Sequence, residues 1–297
     1  MFSQEMRSDI SAVNAAIGEY ISSLGRECDG LLSGLISAEE YSLSAGGKRI
    51  RPLIALWTSR LFGGDDRAVM PSAVAIEMIH TASLIHDDLP CIDDDELRRG
   101  KPTSHIVFGE STALLAADGL FMDAFSVISE NGLLPIDCRL ASVRALARAT
   151  GTRGLVGGEY IDILGESKRL GLDQLRLMDS MKTGALIVAA AELGAIAAGV
   201  GENEERMRDL RTYATNIGLA FQIIDDILDV SGSAAELGKN PGSDLRDGKS
   251  TYISFYSCDE ARRVAKELTD AAIAAIAKYR GADKFVALAK YLTERKL

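Results

Sequence analysis

The sequence has little proline and little cysteine. Its 297 residues include six prolines, and none lies between Pro135 and Pro241. A stretch of this length is free of the residue that most often breaks helices. The four cysteines are far apart and form no Cys-x-x-Cys pair, which argues against a disulfide framework and against a zinc site. Scattered thiols and a polar N-terminus without a signal-peptide layout lead us to expect a cytoplasmic protein.

Positive charge is also scarce. The 33 Lys and Arg residues stand against 43 Asp and Glu residues, so the net charge is −10. This balance argues against nucleic-acid binding, because phosphate backbones select basic surfaces. A small anionic ligand would need local cations. The sequence contains no GxxxxGK(S/T), HExxH or GxSxG motif, which disfavours a P-loop kinase, a zinc protease and a serine nucleophile elbow.

Long hydrophobic runs are nearly absent. The nearest approach to a membrane span covers residues 184–201, which are rich in Ala and Gly. Glu192 lies in the middle of this segment, and a charge at that depth is costly in a bilayer. We therefore predict a buried helix here and no integral membrane segment in the chain.

Apolar residues instead recur at helical spacing. In residues 206–230 and 260–279 they return every three or four positions. Runs of alternating β-branched residues are few, and no Asn-Gly or Asp-Gly turn joins two of them. With 47% hydrophobic residues the chain can bury a sizeable core. We predict an all-α fold in one domain, residues 1–297. The following glycine clusters are predicted to join helices: 46–47, 63–64, 157–158 and the segment around 238–248.

Two acidic clusters stand out, and the second along the chain is the simpler. It holds Asp225, Asp226 and Asp229 among apolar neighbours. On a helix, Asp225 and Asp229 project side by side, with Cβ atoms roughly 5–6 Å apart. Like charges at this spacing destabilise a helix, so the cluster is not typical of a solvated face. Capping or salt bridges to nearby basic helices are an alternative, but a hard divalent cation explains the pattern better.

The first acidic cluster includes Asp87, Asp88, Asp93 and Asp94. Asp93 follows Asp87 by six positions, about 600° of rotation, which places the two on different faces of a straight helix. Pro90 predicts a kink or a helix end between them. If the chain stayed helical, Asp94 would align with Asp87 better than Asp93, and spacing alone does not choose. A solvated helix end is the alternative, but it fits the start of the cluster poorly because apolar residues precede it.

The ligand types favour Mg²⁺ or Mn²⁺ over zinc, since the clusters contain carboxylates and the whole chain has three histidines. Mg²⁺ held by few carboxylates usually completes its shell with water and substrate phosphate, so two clusters suggest a polyphosphate between them. Basic groups beside the clusters would bind it, although each group alone is more typical of a surface charge. These groups are Lys48, Arg49 and Arg51; Arg98 and Arg99; Lys182 with Thr183, predicted to begin a helix; and Lys239 with Lys249.

Together these residues resemble a known family, the trans-isoprenyl diphosphate synthases. The similarity extends from about Gly46 to Tyr252 and includes, in order, GGKRIRP, the two aspartate motifs, KTGAL and GKxxGxDxxxGKSTY. The resemblance implies a bundle of antiparallel helices around a deep central cavity, commonly in a homodimer. It also implies condensation of isopentenyl diphosphate with an allylic diphosphate (dimethylallyl, geranyl or farnesyl).

The resemblance further implies roles for individual residues. Three Mg²⁺ ions, with Mn²⁺ as an alternative, would bridge the motifs to the allylic diphosphate. Their implied ligands are Asp87, Asp88, Asp93, Asp225, Asp226 and Asp229. Isopentenyl diphosphate would be held by Lys48, Arg51, His80 and Arg99. The allylic diphosphate or the developing cation would be surrounded by Arg98, Lys182, Thr183, Gln222 and Lys239, with Lys249 as a further candidate. The residues implied in catalysis are Asp87, Asp88, Asp93, Lys182, Thr183, Gln222, Asp225, Asp226 and Lys239.

Two small residues bear on product length. Ala82 and Ser83 lie five and four positions before Asp87, along the expected product tunnel. Family members that stop at C15 often have an aromatic residue there, so small side chains favour C20, geranylgeranyl diphosphate, with C15, farnesyl diphosphate, as the alternative. The other explanation is close helix packing. Glu159 departs from the Gln that the family often has in its GGQ segment, and its role stays open.

Two other function classes are less compatible with the sequence. A class I terpene cyclase could share the fold and one aspartate motif, but it would normally lack the second motif and GGKRIRP. A non-catalytic subunit of a heteromeric synthase would be expected to have lost acidic ligands, whereas all six are present.

Overall fold

The computed structural model describes residues 4–27, 30–231 and 249–293, and helices dominate these ranges, which confirms the all-α prediction. A short antiparallel pair, β1 (Leu97–Arg98) and β2 (Lys101–Pro102), follows the fourth helix. The described helices, in chain order, are α1 (Gln4–Glu27), α2 (Ser33–Leu43), α3 (Ile50–Leu61), α4 (Asp66–Asp87), α5 (Ser104–Phe108), α6 (Glu110–Ser129), α7 (Ile136–Thr150), α8 (Leu155–Ser167), α9 (Leu172–Asp179), α10 (Ala185–Ala197), α11 (Glu204–Ser231), α12 (Cys258–Ile276) and α13 (Asp283–Thr293).

Helices α4 and α10 are at the centre of the packing. α4 contacts α3 and α6, whereas α10 contacts α3, α4, α7 and α11. Small residues permit this density: a Cβ at Gly194 of α10 would collide with the Ala55 carbonyl oxygen of α3. The charge of Glu192 is retained inside because its carboxylate pairs with Arg148 and Arg211, at 2.9 and 2.6 Å. The predicted buried helix in this segment is therefore confirmed.

Three helical stretches are long and apolar enough to cross a membrane when judged by length and composition alone: Asp66–Asp87, Glu110–Ser129 and Leu172–Ala197. In their most apolar windows 78%, 39% and 61% of the residues, respectively, are buried inside the protein. The first and third stretches therefore use most of their apolar surface for packing. The absence of an integral membrane segment stays a prediction, as does the single domain.

The end of α4 creates the first aspartate motif. The helix ends at Asp87, three residues before Pro90, which confirms the predicted helix end. Beyond the helix the chain folds back, because the N–H of Asp93 donates to the carbonyl of Asp87 at 2.8 Å. This turn returns Asp93 to Asp87 despite the spacing of six residues.

Helices α11 and α12 confirm the helical periodicity of the C-terminal part of the chain. Ile223 and Ile227 of α11 pack with Tyr252 in an apolar cluster that supports the second aspartate motif from behind. Of the glycine clusters, 46–47 and 63–64 lie between helices as predicted, whereas the segment around 238–248 lies outside the residues that the structure describes. The pair 157–158 lies inside α8, so that prediction was wrong.

Candidate active site

The centre of the site is a single π-helical turn, Ser180–Gly184, that connects α9 to α10. The prediction that Lys182 begins a helix was wrong, because the continuous helical stretch starts at Leu172. π-Turns within helices frequently occur at functional sites. A Cβ at Gly158 of α8 would collide with the backbone of Lys182, so only glycine allows this approach. Close packing against the turn, rather than a joint between helices, explains Gly158, whereas a Cβ at Gly157 would collide with the Thr152 carbonyl oxygen.

Lys182 is surrounded by carboxylates. Its Nζ lies 2.7 Å from Oδ2 of Asp162 and 2.8 Å from Oε2 of Glu159, both on α8. Burial works against the ammonium charge, yet the carboxylates of Asp162, Asp87 and Glu159 raise the pKa of Lys182 well above its ordinary value. Glu159, whose role the sequence leaves open, therefore faces a basic neighbour.

Asp93 is held by a second lysine. Nζ of Lys249 lies 3.2 Å from Oδ1 of Asp93 and 3.6 Å from Oδ2 of Asp162. Asp94 is exposed and has a left-handed backbone, with φ of 52°. The geometry therefore favours Asp93 over Asp94 as the partner of Asp87.

Asp87 itself is half-buried at the end of α4. Burial raises the pKa of Asp87 to about 7; Lys182 opposes this shift, whereas Glu159 and Asp93 add to it. The carboxylates at this point are thus crowded, and the two lysines compensate only part of their charge.

Asp88 has a different environment from Asp87 and Asp93. It is 4% exposed, and its Oδ1 accepts a hydrogen bond from Nε of Arg98. Burial raises the pKa of Asp88 to about 6, although Arg98 works in the opposite direction. The structure therefore brings Asp88 and Arg98 together, rather than placing Arg98 free beside the other carboxylates.

The second aspartate motif is connected to the same turn by hydrogen bonds. Oγ1 of Thr183 donates to Oε1 of Gln222 at 3.5 Å, and Nε2 of Gln222 donates to Oδ1 of Asp226 at 3.2 Å. Oδ2 of Asp226 accepts the N–H of Tyr252 at 2.8 Å. In the same motif Asp229 is buried. The Ser180–Gly184 turn thus lies against both aspartate motifs.

Asp179, which directly precedes the turn, is another buried carboxylate in this acidic region. Burial raises the pKa of Asp179 to about 8; Tyr252 opposes the shift, whereas Asp226 and Asp162 increase it. Within the described ranges, no three acidic, Cys or His side chains are close enough to hold a metal ion in this arrangement.

Arg51 of α3 and Arg99, between β1 and β2, form a basic group near His80, which lies two helical turns before Asp87 on α4. Nε of Arg51 is buried and has no hydrogen-bond partner in the described part of the chain. Burial lowers the pKa of His80 well below its ordinary value, and Arg51 and Arg99 add to this effect, so the imidazole is neutral. The Arg99 guanidinium donates to the carbonyl of Gly46 and lies where a Cβ at Gly47 would be.

The remaining predicted residues are less closely connected to these groups. Lys48 is exposed, with its Nζ 5.6 Å from the centroid of the Tyr291 ring. Ala82 is fully buried, and Ser83 Oγ donates to the His80 carbonyl. Lys239 lies outside the described residues. The sequence analysis did not identify Glu77 as a functional residue. The signal was present, because Glu77 is a charged residue within an apolar run of α4, and the same kind of pattern identified Asp225.

Comparisons with known proteins agree on one family. The sequence matches the polyprenyl synthetase family over residues 34–287. It is 46% identical over 266 residues to geranylgeranyl pyrophosphate synthase 11 of Arabidopsis thaliana, covering 87% of this chain and 74% of the relative. Identity to the farnesyl diphosphate synthase of Haemophilus influenzae is 38% over 295 residues, or 99% of each chain.

Solved structures give the same result. The crystal structure of an FPP/GFPP synthase from Zymomonas mobilis superposes with a TM-score of 0.86 at 35% identity. The match covers 97% of this chain and 99% of that chain.

Proposed function

This chain belongs to the polyprenyl synthetase family, the trans-isoprenyl diphosphate synthases, and on that premise we propose that it condenses isopentenyl diphosphate with an allylic diphosphate. The product would be a short-chain all-trans prenyl diphosphate. The observation that carries the proposal is the arrangement around the Ser180–Gly184 turn. Carboxylates of α4 and α11 approach this turn, and Arg51, whose Nε has no hydrogen-bond partner among the described residues, lies near His80.

We propose that the site uses Mg²⁺, three ions with Mn²⁺ as an alternative. Carboxylate oxygens are the ligands that Mg²⁺ prefers. Burial raises the pKa of Asp87, and Glu159 and Asp93 add to the shift; a divalent cation would relieve this repulsion between carboxylates. When bound, such ions neutralise the leaving pyrophosphate and so favour ionisation of the allylic C–O bond. The residues that would hold them are Asp87, Asp88, Asp93, Asp225, Asp226 and Asp229.

The Ser180–Gly184 turn would receive the allylic substrate. Lys182 already carries a strongly favoured positive charge at this point, so it would bind the allylic diphosphate. The Thr183 hydroxyl and the Gln222 amide are oriented by their hydrogen bond. Such fixed dipoles stabilise a developing cation without reorganisation of solvent. Water would have to be excluded from the site, because it could capture the cation.

Isopentenyl diphosphate would bind in the basic group above. Lys48, Arg51 and Arg99 supply cationic donors, and Arg51 Nε has no hydrogen-bond partner to release first in the part of the chain that the structure describes. The neutral His80 could donate a hydrogen bond without adding charge. After the isopentenyl double bond attacks, the proton is proposed to leave with the departing pyrophosphate.

We propose geranylgeranyl diphosphate as the product and farnesyl diphosphate as the second candidate. The first is supported by small Ala82 and Ser83 and by 46% identity to a geranylgeranyl pyrophosphate synthase. The second is supported by 38% identity to a farnesyl diphosphate synthase along the full chain. Ser83 lies one turn before Asp87, so its side chain projects from the same face of α4.

Larger side chains at Ala82 or Ser83 test whether the product tunnel runs along this face of α4. Ser83→Phe or Ala82→Tyr should shorten the product by one five-carbon unit, because an aromatic ring would block the path of the growing chain. Products are sized by mass spectrometry. Ser83→Ala is the matched control and should leave the length unchanged; an unaltered product in the aromatic variants would refute a tunnel along this face.

We propose a homodimer, supported by an exposed apolar face on α5, α6 and α7. Contiguous exposed apolar surface commonly marks an interface. A cytoplasmic location is proposed from the scattered cysteines. Light scattering would test the homodimer, and cell fractionation would test the cytoplasmic location. The residues of this face, 44–64% exposed, are Ile106, Val107, Leu114, Leu115, Met122 and Leu140.

The decisive experiment is incubation of the purified chain with Mg²⁺, isopentenyl diphosphate and each allylic starter, followed by product sizing. A C20 product is expected, and C15 would support the second candidate. Turnover of an allylic diphosphate alone would identify a cyclase instead. No turnover by the chain by itself would favour a non-catalytic subunit.

A further inference from the structure

A buried ion pair lies directly behind the basic group. Nη1 of Arg49 is 2.6 Å from Oε1 of Glu77, and each side chain is 2% exposed. Arg49 also donates to the Leu43 carbonyl at 2.6 Å and to Oδ1 of Asn14 at 2.9 Å. The sequence groups Arg49 with the substrate-binding cations, but its guanidinium is engaged by Glu77, the Leu43 carbonyl and Asn14. One guanidinium thus connects α1, the end of α2 and α4.

Arg49 also sets the path of the loop that carries Lys48. Its backbone is left-handed, with φ of 50°, and it forms the N-terminal boundary of α3. The loop before it contains Gly46 and Gly47, both at positive φ, so the loop itself has little intrinsic preference for one conformation. The anchored guanidinium therefore determines where Lys48 and Arg51, its near neighbours in the chain, are placed.

Glu77 has a second effect, on the charge of the group. Burial lowers the pKa of Arg51, and Glu77 counteracts this shift. Glu77 acts in the same direction on Arg99. Arg49, Arg51 and Arg99 would repel one another and spread apart if this carboxylate were removed.

We infer that Glu77 and Arg49 are positioning residues for the isopentenyl diphosphate subsite, and that their ion pair keeps Lys48, Arg51 and Arg99 assembled before substrate arrives. Neither residue touches the substrate. This inference rests on the proposed function and adds to it the residues on which that subsite depends.

The competing interpretation is that the pair only stabilises the fold. The chain offers a matched control in Glu192, whose carboxylate is 3% exposed and pairs with Arg148 and Arg211. Glu192 lies ten residues beyond Lys182, about 15 Å along the helix axis. Its two arginine partners lie on α7 and α11, whereas Arg51 and Arg99 lie on α3 and between β1 and β2, so Glu192 is a buried carboxylate paired with arginines outside the basic group.

The test separates the two interpretations by steady-state kinetics. Glu77→Gln should raise KM for isopentenyl diphosphate about tenfold or more, with KM for the allylic diphosphate and kcat within about threefold of wild type. Glu192→Gln should lower the melting temperature and leave both KM values unchanged. An isopentenyl KM in Glu77→Gln that is unchanged or lower overturns the inference.

Two further variants keep the inference testable if Glu77→Gln folds poorly. Arg49→Lys retains the charge, but its donors lie on a single nitrogen and cannot reach the partners that three separate guanidinium nitrogens contact on α1, α2 and α4, so the isopentenyl KM should rise in this variant too. In the double variant Arg49→Met/Glu77→Leu the melting temperature should recover, since apolar residues can replace a buried pair. Recovery of KM together with stability would overturn the inference. A wild-type chain that forms no prenyl diphosphate would instead contradict the proposed function.

Discussion

The site has a basic half, which contains Lys48, Arg51 and Arg99, and an acidic half, which contains the two aspartate motifs. The two halves balance their charges differently. In the basic half, Arg51 and Arg99 are held near one buried carboxylate, Glu77, which is 2% exposed and pairs with Arg49. In the acidic half, the carboxylates are balanced by Lys182 and Lys249, which are 22% and 21% exposed. A buried ion pair is costly to break, whereas a partly exposed lysine on a flexible stem can move.

This difference indicates which half must change when ligands bind. The carboxylate of Glu77, which offsets the charge of the basic half, lies behind its cations, so a diphosphate can approach without displacing this carboxylate. In the acidic half, Lys249 lies on the carboxylate of Asp93, and a metal would have to displace it. The basic half is therefore preorganised, whereas the acidic half would exchange its lysine partners for the proposed metal ions.

The largest effect is expected from removal of a carboxylate in the acidic half. Asp87→Ala or Asp225→Ala should lower kcat by about a thousandfold or more, because the charge that binds the metals is lost. Turnover with saturating Mg²⁺ measures the effect, and circular dichroism should show unchanged helicity. Asp270→Ala, which removes a surface pair with Lys266, is the control and should have no effect. Near-normal turnover in Asp87→Ala would exclude this carboxylate from the metal site.

A smaller effect, specific to one substrate, is expected at Lys182. Lys182→Gln should reduce kcat/KM for the allylic diphosphate about a hundredfold, while KM for isopentenyl diphosphate changes less than twofold. This pattern is the reverse of that expected for Glu77→Gln. Lys278→Gln, at a lysine paired with Glu205 and Asp209, is the matched control. Equal changes for both substrates would mean that the two halves do not act separately.

The smallest effect is expected at a buried carboxylate that forms no salt bridge within the described residues. Burial raises the pKa of Glu39 to about 7, with a contribution from Asp123, and its Oε2 has no hydrogen-bond partner in the described chain. The protonated form is favoured by folding, so its contribution is complete below the unfolded pKa near 4.5 and is lost as pH rises through 7.

Glu39→Gln should therefore flatten the fall in melting temperature between pH 5 and pH 8. The difference should be about 2 °C, corresponding to about 1 kcal/mol for a carboxylate that retains some solvent screening. Thermal unfolding followed by circular dichroism measures it. The exposed neighbour Glu40 is the control, and parallel pH profiles for wild type and Glu39→Gln would contradict the prediction.

Predictions from the sequence succeeded where a local pattern has one physical meaning. The helical period of α11 and the stop at Pro90 are local, and both are present as predicted. The glycines at 157–158 were misinterpreted because local rules associate glycine with joints. The cause for Gly158 is contact with the backbone of Lys182, a residue more than twenty positions away, and Gly157 approaches the Thr152 carbonyl and the Met181 side chain.

The sequence by itself determined the helical class, the two acidic clusters and the family resemblance, since each depends on residue types at fixed spacings. The tertiary structure alone decided that Asp93 returns to Asp87, that Asp88 is bound by Arg98, and that Arg49 faces Glu77. The reason is physical: spacing specifies which face of a helix a side chain occupies, whereas the neighbour that neutralises a charge is supplied by a different part of the chain.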